Sequence, residues 1–305
     1  MSTRKILIGG GTGFIGRRLG ELLSKNGYDV KNVARMPATN NISWSILEAS
    51  GLPKNTCAVV NCAGQQFMDF TKAWSPGFKQ NVQNSRVYTT KALAKAINKA
   101  QDKPKVYVVV TGVGAYEPSD SRRYDEGSST TGSDFFSKLV IEWEKAAQVD
   151  PPVRLVIIRS GAVIGRSGGM IKNMFIPFYF GLGGRIGSGE QFLPWIHLDD
   201  LTRLIHFAIE NDHVKGVLNG VAPQVITNKD FTKSFAKALK RPALFPVPET
   251  ILNFLFNPER AMIMTKGQHV IPKRVQDYGF EYKYSNIDEA CKEVAHLFPK
   301  KHPLE

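Results

Sequence analysis

Apolar residues recur along the first half of the chain in two alternating rhythms. KILIG at positions 5–9 is a short apolar run ending in glycines. Residues 14–25 then show helical spacing, with Leu19, Leu22 and Leu23 on one side. Asn26-Gly27 supplies the stop. Residues 28–34 and 58–61 read as a second and a third strand. Residues 81–100 form a predicted long helix, with Val82, Val87, Leu93, Ala94 and Ile97 apolar. VYVVV at 106–110 is a continuous run of the kind expected for a strand buried on both faces. A helix over 133–147 follows, and residues 155–158, after Pro151-Pro152, read as a further buried strand.

Strand and helix alternate to about residue 160, which predicts an α/β fold: a Rossmann-type, doubly wound parallel sheet with helices on both faces. The character then changes. Residues 165–195 are rich in Gly, Phe and Pro, and 228–240 and 286–298 read as amphipathic helices. The expected organisation is a dinucleotide-binding domain over 1–165, with 196–225 returning to it. A smaller, interleaved substrate lobe is expected over 166–195 and 226–300. The terminal His302-Pro303-Leu304-Glu305 is assigned no function.

Composition narrows the class. The 305 residues are 42 % apolar and 22 % charged, ordinary for a globular chain. No stretch reaches the length of apolar chain that a membrane span needs. No signal-peptide pattern precedes the first strand, so no membrane association is expected. Three cysteines, Cys57, Cys62 and Cys291, make no disulfide framework, and a cytoplasmic or other reducing compartment is expected. No His or Cys spacing suggests a metal. The net charge of +13 raises nucleic acid as a partner. No dense basic block interleaved with aromatics supports that, and an anionic cofactor or substrate accounts for the charge better.

The sharpest chemistry follows the first strand, where Gly9–Gly16 reads GGGTGFIG. Gly10 permits a tight turn, Gly13 lets backbone approach a pyrophosphate, and Gly16 lets helix and strand pack closely. The amides at the helix start then face the anion. A dinucleotide site for NAD would place a carboxylate at the end of the second strand to bind the ribose hydroxyls. Here that strand ends Val33-Ala34-Arg35. Arg binds a 2′-phosphate that a carboxylate would repel, so the expected cofactor is NADP(H).

With these motifs in hand, the chain resembles the short-chain dehydrogenase/reductase superfamily, and its extended, epimerase-like division in particular. NCAG (61–64), Asn81 in NVQNSR, TGVGAYEP (111–118), RSGAVIGR (159–166) and WIHLDDL (195–201) each resemble a stretch of that division. DFFSKLVIEWE (134–144), GSGEQFLPWIH (187–197) and GQHVIPKR (267–274) are similar to its atypical "epimerase family protein" branch. The resemblance implies NADP binding and oxidoreductase activity without defining a substrate. It implies cofactor contacts from Thr12, Phe14 and Ile15 in the turn, from Ala34 beside Arg35, and from Cys62, Ala63 and Gly64. It extends them to Asn81, Arg86 and Val163.

The superfamily's Tyr-x-x-x-Lys motif is incomplete. None of the nine tyrosines has Lys four residues later. Lys138 is present, and Asp134 stands at the Tyr position. Asp134 is a candidate acid or base, or a helix N-terminal carboxylate; Lys138 binds the nicotinamide ribose hydroxyls or pairs with Glu142. Tyr116 and Tyr124 are candidate replacements for the phenol, or packed loop rings. Thr111 is placed to orient a carbonyl or to end its strand. His197 is read as structural, with a general-base role as its alternative, and Asp199 as a helix N-cap. Phe175, Phe178, Phe192 and Trp195 either line an apolar pocket or fill a core. Two function classes fit these residues. One is an NADP(H)-dependent oxidoreductase or epimerase-like enzyme acting on a small organic substrate. The other is an NADP(H)-binding redox sensor without catalysis. A homodimer through the helices bearing Asn81 and Lys138 is also compatible.

Overall fold

The structure, a computed structural model, describes residues 4–36, 38, 41–69 and 71–297. The terminal HPLE and the last residue expected in the 286–298 helix lie outside them. The dinucleotide half runs β1 (Lys5–Gly9), α1 (Phe14–Lys25), β2 (Asp29–Ala34), β3 (Asn41–Ser43), α2 (Trp44–Ser50), β4 (Thr56–Asn61) and α3 (Pro76–Lys99). β5 (Val106–Gly112), β6 (Arg123–Tyr124), α4 (Phe135–Lys145) and β7 (Arg154–Ser160) follow. The second half holds β8 (Ala162–Ile164), α5 (Gly169–Tyr179), β9 (Trp195–His197), α6 (Leu198–Glu210), β10 (Gly216–Gly220) and α7 (Asn228–Leu239). It closes with α8 (Glu249–Phe256), α9 (Pro258–Thr265), β11 (His269–Val270), α10 (Lys273–Asp277) and α11 (Ile287–Val294).

Seven strands form one parallel sheet in the order β10-β7-β5-β4-β1-β2-β3. Strand alternation sorts the core to two faces. Ile6, Ile8, Val108 and Ile158 pack with Leu19 and Leu23 of α1 and Leu201, Leu204 and Ile205 of α6. Leu7, Val59, Tyr107 and Val109 pack on the other face with Leu93 and Ile97 of α3 and Trp143 of α4. A separate core joins α5, α7 and α11 through Phe175, Phe178, Phe231, Phe235, Cys291 and Val294. No helix among the described residues is long and apolar enough to cross a membrane.

Several elements depart from the pattern reading. α3 starts earlier than residue 81, because Ser75 accepts a bond from the Phe78 amide and Pro76 occupies the first turn. α5 forms in the Gly/Phe/Pro-rich stretch despite Pro177 inside it, with Phe175 and Phe178 buried beneath. Asp199 is not the N-cap of α6. That position is His197, whose Nδ1 accepts the Asp199 amide at 3.2 Å, and Asp199 lies within the first turn. Phe175, Phe178 and Trp195 are core rather than pocket wall.

Candidate functional site

The glycine turn joins β1 to α1 at the carboxyl end of the sheet. Gly10 has φ +75°, and a Cβ there would stand 2.7 Å from the Ala63 Cα. A Cβ on Gly16 would meet Gly11 Cα at 2.6 Å. Lacking a side chain, Gly10 lets the turn lie flush against the 61–64 segment, and Gly16 lets the start of α1 lie flush against the turn itself. Backbone bonds fix it: Gly10 N–H donates to Val33 O at 3.0 Å, Gly13 N–H to Gly10 O at 3.0 Å, and Cys62 N–H to Gly9 O at 2.8 Å. Arg17 braces the turn through Nε to the Thr12 carbonyl at 2.7 Å.

Gly13 caps α1 with no side-chain bond, and no acidic residue stands in the first turn. Those amides and the helix dipole are left for an external anion. Phe14 lays its ring against Gly165 and Gly168, so the start of α1 is seated on the loop after β8. Ile15 packs on the core with Val163. Ala34 is buried at the end of β2, and the adjoining Arg35 is exposed.

The opposite wall is the end of β4. Asn61 is fully buried; its Oδ1 accepts Ala63 N–H at 3.0 Å and its Nδ2 donates to Thr90 at 2.8 Å. Burial pushes the Cys62 thiol up to about 12, which removes it as a nucleophile near neutrality. Beneath Gly64 lies Arg86, buried between the rings of Phe67 and Trp143. It donates to Val82 O at 3.1 Å and has no carboxylate partner among the described residues; burial lowers its pKa to about 10. Asn81 is exposed one turn earlier on α3.

The residues expected to do chemistry are engaged as follows. Asp134 is the N-cap of α4: its Oδ1 accepts Phe136 N–H at 2.7 Å and Ser137 N–H at 3.0 Å, and Ser137 Oγ accepts the Asp134 N–H. Its carboxylate is thus occupied by backbone. Lys138 is exposed and carries no ion pair among the described residues; Glu142 is bonded to Gln83 instead, at 2.7 Å. Thr111 Oγ1 donates to Glu144 at 3.1 Å, and Glu144 holds Arg159 in a two-bond fork at 2.8 and 2.7 Å. Tyr116 is fully buried, its hydroxyl 2.8 Å from Asn219 Oδ1 and 3.0 Å from the Asp125 carbonyl. Burial raises its pKa even with the Arg159 guanidinium over its ring. Tyr124 stacks on it. His197 is buried, with Nε2 3.2 Å from Glu293.

Other residues proved important that no local signal revealed. Ser85 Oγ accepts Gln65 N–H at 2.8 Å and pins the loop after β4. Arg260 of α9 is buried and donates to the carbonyls of Phe67, Asp69 and Lys72. Gln268 donates to the Tyr116 carbonyl at 3.2 Å, and β11 pairs with β6, so the 267–274 segment braces the 111–118 loop. Each pairing joins residues far apart in sequence. Among the described residues no group of three His, Cys, Asp or Glu is placed to hold a metal.

Residues 6–219 match the NAD dependent epimerase/dehydratase family, and residues 247–294 match a domain of unknown function, DUF1731. The human epimerase family protein SDR39U1 is 46 % identical over 95 % of this chain and 99 % of its own length. The epimerase family protein YfhF of Bacillus subtilis is 31 % identical over 95 % of this chain and 97 % of its own. A crystal structure of human SDR39U1 (isoform 2) with NADPH superposes with TM-score 0.94, covering 95 % of this chain and 99 % of that one.

Proposed function

This chain belongs to the NAD dependent epimerase/dehydratase family, and on that premise we propose that it binds NADP(H) and transfers hydride to or from a small organic substrate. The observation that carries the reading is the uncapped start of α1, bedded against glycines, with Arg35 where a carboxylate would select NAD. The NADPH held by the human relative supports the same choice.

In this reading Gly10, Thr12, Gly13, Phe14, Ile15 and Gly16 receive the diphosphate. Ala34 and Arg35 receive the 2′-phosphoribose. Cys62, Ala63 and Gly64 form the opposite wall, backed by Asn81 and Arg86, with Val163 at the far end. When bound, the cofactor supplies a hydride-accepting or hydride-donating ring. Lys138, exposed on α4, orients the ribose hydroxyls. Thr111, Tyr116 and Asp134 act as positioning residues. The first ties β5 to Glu144, the second anchors the 111–118 loop, and the third fixes the start of α4 beneath Lys138. Residues 166–195 and 226–300 supply the substrate side. Calorimetric titration tests the cofactor half: NADPH binds at least about ten-fold more tightly than NADH, and Arg35→Ala removes the preference, the worth of one charge-assisted bond. Equal affinities, or binding of neither, overturn it.

A second reading is an NADP(H)-binding redox sensor, favoured by the N-capping Asp134 where a catalytic phenol is usual. NADPH oxidation with a panel of carbonyl compounds separates the two. An enzyme turns over and slows with Lys138→Ala. A sensor binds without turnover, and NADPH and NADP⁺ differ in their effect on its partner.

A further inference from the structure

The surface most at odds with water lies beside α8. Residues 242–256 read PALFPVPETILNFLF and hold a single charge, Glu249. Leu252 is buried, while Ile251, Phe254 and Leu255 form an outward stripe at helical spacing. Phe254 is 89 % exposed, Leu244 75 % and Leu255 60 %. On α5, Ile176 and the C-capping Phe180 stand one turn apart and also face outward. The two stretches are stitched together: Leu182 bridges to Ala243, and Phe245 N–H donates to Gly183 O at 3.3 Å. These links bring the exposed Phe180, Leu182, Leu244 and Phe245 to one seam, and the α8 stripe follows that seam directly along the chain. A chain that stays in water rarely leaves such a patch bare.

The rim is cationic. Lys172 lies one turn before Ile176, Arg185 follows the 181–184 turn, and Lys240 and Arg241 lead into the 242–256 stretch; all four are exposed. Arg241 stays at the seam, donating to the Tyr179 carbonyl at 2.8 Å. Bulky apolar side chains within a Lys/Arg rim match the chemistry of a bilayer interface, where rings enter the acyl boundary and cations meet anionic headgroups. A symmetric contact with a second copy would set this positive rim against itself, which disfavours that occupant. We propose that this face docks the protein peripherally on an anionic lipid bilayer. This face carries no membrane-span pattern in the sequence, because it is assembled from two short stretches, 176–182 and 242–256.

Flotation of the full chain with vesicles tests the proposal. One set is phosphatidylcholine with about one-third phosphatidylglycerol, the other phosphatidylcholine alone, compared at low and high salt. The expected result is binding to the anionic set that weakens with salt. Phe180→Ser with Phe254→Ser lowers binding at least about ten-fold by removing two inserting rings. Lys172→Ala with Lys240→Ala lowers it about thirty-fold, about five-fold per cation. All four positions are exposed, and unchanged melting curves verify folding of each variant. Failure of the wild-type chain to float with anionic vesicles overturns the proposal. So does flotation indifferent to both double substitutions or to headgroup charge. A sedimentation-defined dimer that Phe254→Ser dissociates, without flotation, assigns the surface to a second copy and overturns it too.

Discussion

Glu144 bonds both Thr111 at the end of β5 and Arg159 at the end of β7, and so locks α4 onto the carboxyl edge of the sheet. Both members of the ion pair are largely shielded from water, so removing one leaves the other charged and unpaired. Glu144→Ala is expected to destabilise the fold by about 3 kcal/mol in urea denaturation. A change within about 1 kcal/mol would mean that water replaces the pair, as at an exposed site. Arg86 poses the opposite case, a buried guanidinium with no acid beside it among the described residues. Arg86→Met removes a costly buried charge while keeping the bulk between Phe67 and Trp143. The expected outcome is a melting temperature unchanged or raised, with weaker NADPH binding. If stability falls and affinity holds, Arg86 serves packing rather than the proposed cofactor wall.

At the scale of elements, Asp134 turns a position usually catalytic into the cap that starts α4. Asp134→Ala is expected to cost about 1 kcal/mol, while Asp134→Asn, which still accepts the amide bonds, costs only a fraction of that. A direct proton-transfer role would instead make both substitutions abolish turnover equally. The glycine turn, α1 and the central strands were legible in the sequence because each is dictated locally. Leu19 and Leu23 repeat at helical spacing, β5 is apolar throughout, and Gly10 and Gly16 mark where backbones touch. β8, β9, α8 and α9 were not, since they are short and held by partners far along the chain. The same holds for the site. Arg35 could be read as a sign reversal at one position, but the fork between Arg159 and Glu144 could not. Nor could the three carbonyls gathered by Arg260, because hydrogen bonds spanning 188 to 193 residues leave no mark in spacing.

Across the whole molecule, one polar network joins the cofactor helix to the C-terminal segment. Asp199 accepts from Arg18 of α1 at 2.9 Å and from Lys283 at 3.1 Å. Asp200 accepts the backbone amides of Lys283 and Tyr284 at 2.7 and 2.8 Å. His197 Nδ1 accepts the Asp199 amide, which leaves the ring proton on Nε2, directed at Glu293 of α11. Burial opposes ionisation of Asp199, but the bonds and charges of Arg18 outweigh it and hold the carboxyl below its ordinary range. The His197 bond holds Glu293 low against the cost of burial. For a carboxyl depressed in the folded state, the stabilisation is complete above the unfolded pKa, about 3.9 for Asp and 4.3 for Glu. It is lost as the pH falls through the lower folded value. Stability should therefore decline in acid as these two groups take up protons, and the seam between α1 and the C-terminal segment should loosen with them. Asp199→Asn is expected to lower stability near neutrality, where the wild-type carboxylate is charged and paired. It should also flatten the acid limb, because one depressed group no longer titrates. Urea denaturation of both proteins from about pH 7 to about pH 3 measures this directly. Parallel acid limbs would show that Asp199 gains nothing from Arg18 and Lys283, and would place the pH dependence elsewhere in the chain.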